Sequence, residues 1–166
     1  MRKNVLLTVA FLLISGFAVS TLAVPLGDEF IGYRHKGVVR GETLPNGARD
    51  LGGGMLSDDY GVTRFVKGKK YMLWFEKVID RNSEGVPLWE VKDVLTFEKL
   101  KKSQEFLFSY SSPCLQNRKV NLDLIVMAER IPRRKSYKIL KAWHANVKNE
   151  SFVEAPIKGI VCSSGR

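Results

Sequence analysis

The chain has 166 residues, of which 45% are hydrophobic and 27% charged, with 27 Lys and Arg against 17 Asp and Glu and a formal net charge of +10. That length suits one domain and is short for two, and the apolar content is sufficient for a packed core. The excess of base favours anionic partners without specifying any fold.

Residues 1–23 read as an export signal. Arg2 and Lys3 supply the positive start, VLLTVAFLLI (5–14) the apolar stretch, and Thr21-Leu22-Ala23 the small residues of a cleavage site. An uncleaved anchor is the alternative, because residues 5–23 approach the roughly 20 residues that span a bilayer. Ser15, Gly16, Ser20 and Thr21 dilute that stretch, and no basic cluster follows it. Cleavage lowers the net charge from +10 to +8 by removing Arg2 and Lys3. The expected location is the periplasm or the secreted fraction, with no membrane span after cleavage. Export also decides the reading of Cys114 and Cys162, the only 2 cysteines. An even count in an oxidising compartment predicts a disulfide between them. A Cys nucleophile with His144 as its base needs a reduced thiol and an orienting third group, and neither is identifiable.

Residues 24–61 carry nine glycines and few consecutive apolar residues, and are expected to form an irregular arm. The triple glycine Gly52–Gly54 lacks the Gly-Lys-Ser/Thr ending and the preceding apolar strand of a phosphate loop. Asp58-Asp59 lacks the spaced oxygen ligands of a Ca²⁺ loop. From residue 62 to 166 the pattern becomes short runs rich in β-branched and aromatic residues between polar turns. The expected strands are VTRFV (62–66), YMLWFEKVID (71–80), LWEVKDVLTF (88–97), EFLFSY (105–110), VNLDLIVMAE (120–129), YKILKAWHA (137–145), SFVEAPI (151–157) and GIVC (159–162). Residues 137–147 also admit a helical reading. The fold class is therefore all-β and mainly antiparallel, a small sandwich or partly open barrel with an irregular N-terminal arm.

Asn82, Ser83 and Gly85 make a turn between the two strongest runs. A register that pairs Glu76 with Val91, Lys77 with Glu90 and Val78 with Trp89 avoids setting Glu76 against Glu90. It also pairs Trp74 with Asp93. Both faces of this hairpin are apolar, so it belongs at the centre of a sheet covered on both sides. The same register leaves Glu76 and Asp93 on one face, where a carboxylate pair of a hydrolase type is conceivable. Carboxylates near a sheet margin, or paired with Lys92 or Arg, are the plainer explanation. Neither His35 nor His144 falls in an identifiable constellation. With 2 histidines, and with both cysteines assigned to a disulfide, zinc lacks ligands, and no cofactor is expected. Asn149-Glu150-Ser151 matches a glycosylation pattern of the kind that arises by chance.

The LWFE…WEVKDVL run, followed by AWHANV…F-x-E-x-P-x-K-G-I-V-C, resembles a set of short exported bacterial proteins of uncharacterised function, over about residues 73–162. The resemblance implies bacterial export and a single domain. It carries over no catalytic residue.

The most informative feature is where the cations fall. KGKK (67–70), EKLKK (98–102) and ERIPRRK (129–135) each follow or precede a strong strand. If consecutive strands run up and down, Lys67, Lys69, Lys70, Lys99, Lys101, Lys102, Arg130, Arg133, Arg134 and Lys135 collect at one end of the sheet. Their mutual repulsion favours a polyanion; ordinary solvated turns that protect sheet edges are the plain alternative. Tyr71, Phe97 and Tyr137 flank these turns and could stack on bases or sugars, or simply end strands. The sequence thus favours an exported, non-enzymatic binding module whose basic end engages an anionic envelope polymer, an acidic protein or nucleic acid. The alternatives are a hydrolase-type enzyme using Glu76 and Asp93, and an interaction protein docking through an apolar sheet edge. Oligomeric state is not set by these patterns.

Overall fold

The computed structural model describes residues 27–37, 40–98, 100–108, 114–132 and 136–163. Residues 1–23, expected to be an export signal, lie outside these residues, as do Lys99, Arg133, Arg134 and Lys135. The described chain is antiparallel β, preceded by a 3-10 turn at Asp28–Phe30. Its strands form three sheets. β1 (Arg34–Lys36), β2 (Arg49–Met55), β3 (Tyr60–Lys67), β4 (Lys70–Arg81) and β5 (Pro87–Phe97) make a five-stranded sheet in the order β1-β5-β4-β3-β2, curled into a half-barrel. β6 (Gln104–Phe108), β9 (Leu124–Arg130), β10 (Tyr137–Asn146) and β11 (Ser151–Glu154) make a second, ordered β11-β10-β9-β6. β7 (Cys114–Gln116), β8 (Lys119–Val120) and β12 (Ile160–Cys162) make the third.

The alternation of β4 explains how these sheets stack. Leu73 and Phe75 point to one side of the half-barrel, where they meet Phe106, Phe108, Ile125 and Trp143 of the second sheet. Met72 and Trp74 point to the other, into a core with Phe30, Leu44, Phe65 and Val91. The second sheet uses its far face in the same way: Leu107, Leu124, Val126 and Ala142 pack on Cys114, Ile160 and Cys162. The β4–β5 hairpin is accordingly central and apolar on both faces. Its turn is closed by Asn82, whose Oδ1 accepts from the backbone N–H of Glu84 and of Val86. Residues 137–147 are a strand and its turn rather than a helix, because Trp143 and Ala145 alternate with the half-buried His144.

Cys114 and Cys162 are joined in a disulfide and sit opposite each other in the β7–β12 ladder. The crosslink spans a separation of 48 residues. Closing a loop of that length in the unfolded chain corresponds to about 4 kcal/mol in the chain-entropy limit.

Two features depart from expectation. First, the glycine-rich arm is less irregular than its composition suggests. β1 pairs with β5 and β2 with β3, so the arm supplies both edges of the half-barrel. Phe30 lies 4.9 Å from Trp74, and Ala48 is fully buried. The triple glycine belongs to β2, not to a loop. A Cβ on Gly53 would press on the Val62 carbonyl oxygen and lie 2.6 Å from the Thr63 Cα, so close pairing requires glycine there. Second, the register of the hairpin holds only in part. Glu76 pairs with Val91, Lys77 with Glu90 and Val78 with Trp89, but bulges on either side shift the rest by one residue. The phase is therefore reversed beyond Lys92, where Asp93 pairs with Phe75, and Val94 with Trp74.

Candidate functional site

Two regions of the molecule gather chemistry, and they lie on different parts of the half-barrel. The first is the basic end. Tyr71 pairs with Phe97, Gln104 with Glu129 and Tyr137 with Arg130, so the strand ends beside Lys67, Lys70, Lys101, Lys102 and Arg130 lie at the same end of the two large sheets. Lys67, Lys69, Lys70, Lys101, Lys102 and Arg130 are exposed there. Lys67 is 3.7 Å from Glu29 and lies over the Phe30 ring. Arg130 donates to Glu105 at 3.0 Å. Lys69, Lys70, Lys101 and Lys102 make no ion pair among the described residues. Between the β3–β4 turn and the start of β6 is a cleft of about 530 Å³, walled by Val66, Tyr71, Leu100 and Phe106 and edged by Arg64 and Lys69. Tyr71 stacks on Phe106, and Phe97 packs against Phe106 and Trp143, so both rings are committed to the seam between sheets. Burial raises the Tyr71 phenol above its ordinary pKa, against the opposing pull of Arg64 and Arg40.

The second region is a cavity of about 450 Å³ on the inner side of the half-barrel, between edges β1 and β2. Its polar residues share no local sequence signal. His35 comes from β1, Asp50 from β2, Thr63 from β3 and Glu76 from β4. His35, Asp50 and Glu76 are the buried polar or charged residues of the described chain, at 8%, 4% and 1% exposure. The His35 Nδ1 lies 2.8 Å from the Lys36 carbonyl oxygen, which can only accept, so Nδ1 carries a proton. Nε2 lies 2.7 Å from Glu76 Oε1. Burial alone lowers the imidazole pKa, but the Glu76 hydrogen bond and charge, with the Lys36 carbonyl and Asp50, hold it above 6.5. Below that raised pKa the ring is an imidazolium that donates through Nε2 to Glu76. Thr63 Oγ1 donates to the other Glu76 oxygen at 2.6 Å. Asp50 accepts from the Gly52 backbone N–H, and burial pushes its carboxyl up despite His35, Arg64 and Arg40 nearby.

Glu76 and Asp93 do not share the face on which the expected register placed them. The bulge at Lys92 turns Asp93 to the opposite face, where its oxygens accept from the backbone N–H groups of Val94 and Phe152 and tie the two sheets together. The partner of Glu76 is instead His35, 41 residues away in sequence. The only local hint is the alternating RHK of β1, too short beside its glycines to read as a strand. His144 is separate: its Nδ1 is 3.1 Å from Asp123 Oδ1 on the second sheet. Both cysteines are in the disulfide, which leaves no thiol for a Cys–His mechanism.

A surface network completes the electrostatics. Lys77 and Tyr60 donate to Glu150 at 2.6 and 2.8 Å, and these bonds hold its carboxyl at about 2. Lys92 bridges Glu90 at 2.6 Å and Glu150 at 3.4 Å, and Arg34 donates to Glu90 at 2.7 Å. These pairs join β1, β4, β5 and the β10–β11 turn.

Among the described residues no group of three or more His, Cys, Asp or Glu is arranged to hold a metal ion. No helix among them is long and apolar enough to cross a membrane. Comparison of the chain with family models, with curated proteins and with solved structures gave no match.

Proposed function

We propose that this is an exported binding module that engages an anionic polymer through its basic end. The observation that carries this reading is that the basic strand ends lie at one end of the two large sheets beside an apolar cleft, with Lys69, Lys70, Lys101 and Lys102 exposed and without ion pairs among the described residues. Counter-charge for these lysines is then supplied by the partner, and release of condensed counterions drives association. At Glu150 and Glu90, by contrast, carboxylates and cations already pair with one another. Arg133, Arg134, Lys99 and Lys135 belong to the same segments in sequence and extend the patch in this proposal.

The test is binding of the full chain to heparin as a model polyanion, over a range of salt. Lys101→Glu with Lys102→Glu should weaken binding. It should also flatten the slope of log affinity against log salt by about 0.7–0.9 for each polymer anion that the protein no longer neutralises. These side chains are exposed, so the melting temperature should stay nearly constant. Arg118→Glu with Lys119→Glu makes the same change of charge in the third sheet. Its turn lies at the end of β7 opposite Cys114, whose ladder partner Cys162 leads to the Ser136–Ser163 bridge beside the basic end. Equal weakening in the two variants would show a diffuse response to net charge and overturn the proposal.

A further inference from the structure

The inner cavity of the half-barrel has its own lining, and shares only Arg64 with the cleft at the basic end. Its wall changes character along β2. At one end Asp50 and Gly52 sit opposite Phe65 and Arg64; at the other Met55 sits opposite Gly61. Arg40 packs across Gly52, its Cδ 3.3 Å from where a Cβ would lie, with the Arg64 guanidinium on the same spot at 3.4 Å. Both arginines and Asp50 line this end. At the far end the Trp89 ring lies over Gly61, 3.2 Å from the place a Cβ would take, and Met55 stands beside it at 44% exposure. The cavity is thus cationic at one end and apolar at the other, over about five strand residues or roughly 16 Å.

The charges within it do not cancel. Both Glu76 oxygens are engaged, one by the His35 ring and one by Thr63. Arg64 uses Nε and Nη2 on the Gly52 and Leu51 carbonyl oxygens, which fixes its position without neutralising it. Arg40 forms no salt bridge among the described residues. Asp50 is the one carboxyl beside the two arginines, so it can oppose only one of their charges. The glycines Gly52–Gly54 put no side chain between the cavity and the backbone, which leaves room for a ligand to approach. The volume is that of a site for a small organic molecule.

We infer that this cavity binds a small organic carboxylate with an apolar body, its carboxylate held by Arg40 and Arg64 and its body against Trp89 and Met55. The His35–Glu76–Thr63 set forms the floor that fixes β1 against β4, so the two ends stay in register. A cationic ligand would face the arginines, and a polyanion would not enter between the edges; the class follows from that polarity.

The experiment is calorimetric titration of the full chain with 3-phenylpropanoate, its neutral amide 3-phenylpropanamide, and acetate. The acid should bind with a Kd below about 1 mM. The amide lacks the charge and acetate lacks the ring, and each should bind at least about tenfold more weakly. Arg40→Gln should weaken the acid about tenfold or more and bring it close to the amide. Arg40 is exposed, so the variant should keep the wild-type circular dichroism and melting temperature. Arg118→Glu with Lys119→Glu, which removes more positive charge from a distant turn, should leave the acid's Kd within about twofold. No binding of the acid, equal binding of acid and amide, or an unchanged Kd in Arg40→Gln would each overturn the assignment.

Discussion

Removing the Glu76 carboxylate tests the buried pair that organises the inner face. Glu76 is 1% exposed and accepts from His35 at 2.7 Å and Thr63 at 2.6 Å. Glu76→Ala leaves an imidazole and a hydroxyl without their acceptor and opens space in a packed region. Breaking a buried pair in this way costs about 3–5 kcal/mol. Glu76→Gln keeps the shape and can accept from Thr63, while its amide N–H donates to the Nε2 of a neutral His35; its cost should be smaller, about 1–2 kcal/mol. His35→Leu with Glu76→Leu removes both charges and should recover most of the stability that Glu76→Ala forfeits. The pH dependence provides an independent readout. The folded imidazole pKa lies above its unfolded value of 6.5, so this stabilisation is fully present below 6.5 and is lost as pH rises through the folded value. The stability gap between wild type and Glu76→Gln should therefore be largest in mild acid and narrow in mild base. Urea unfolding followed by circular dichroism, with the disulfide intact, measures both quantities. A cost below about 1 kcal/mol in Glu76→Ala, or a gap that widens as pH rises, would refute an imidazolium–carboxylate pair at this position.

Three other outcomes are expected. Cys114→Ala with Cys162→Ala should lower stability by up to about 4 kcal/mol, and unreduced peptide mapping of the native protein should show the two cysteine peptides joined. Glu150→Gln should reduce stability at neutral pH by at most about 1 kcal/mol, because the network is partly exposed. Glu150 has a folded pKa of about 2 against 4.5 unfolded, so the wild-type advantage, followed by urea unfolding across the acid range, should be present above pH 4.5 and disappear as pH falls towards 2. Gly53→Ala should destabilise by about 1–3 kcal/mol, read from thermal unfolding, because the new Cβ meets backbone atoms of Val62 and Thr63 that cannot rotate away.

Local pattern was enough to determine the fold class and most strands. Runs such as YMLWFEKVID and LWEVKDVLTF encode their two faces by alternation, and a strand that must bury both faces shows apolar residues on each. The cysteine pair and the compartment implied by residues 1–23 pointed to the crosslink. The hairpin register was legible at Glu76, Lys77 and Val78, where a one-residue slip would oppose two glutamates. What tertiary structure alone decided were the bulges, the edges and the cavity. A bulge adds one residue to one strand, has no compositional mark at Lys92, and still moved Asp93 to the other face. β1 and β2 are held by the backbones of β5 and β3, so glycine-rich segments with little side-chain signal became strands. His35 met Glu76 for the same reason: the curl of the sheet joins residues 41 apart, a distance at which neither residue's neighbours carry information about the other.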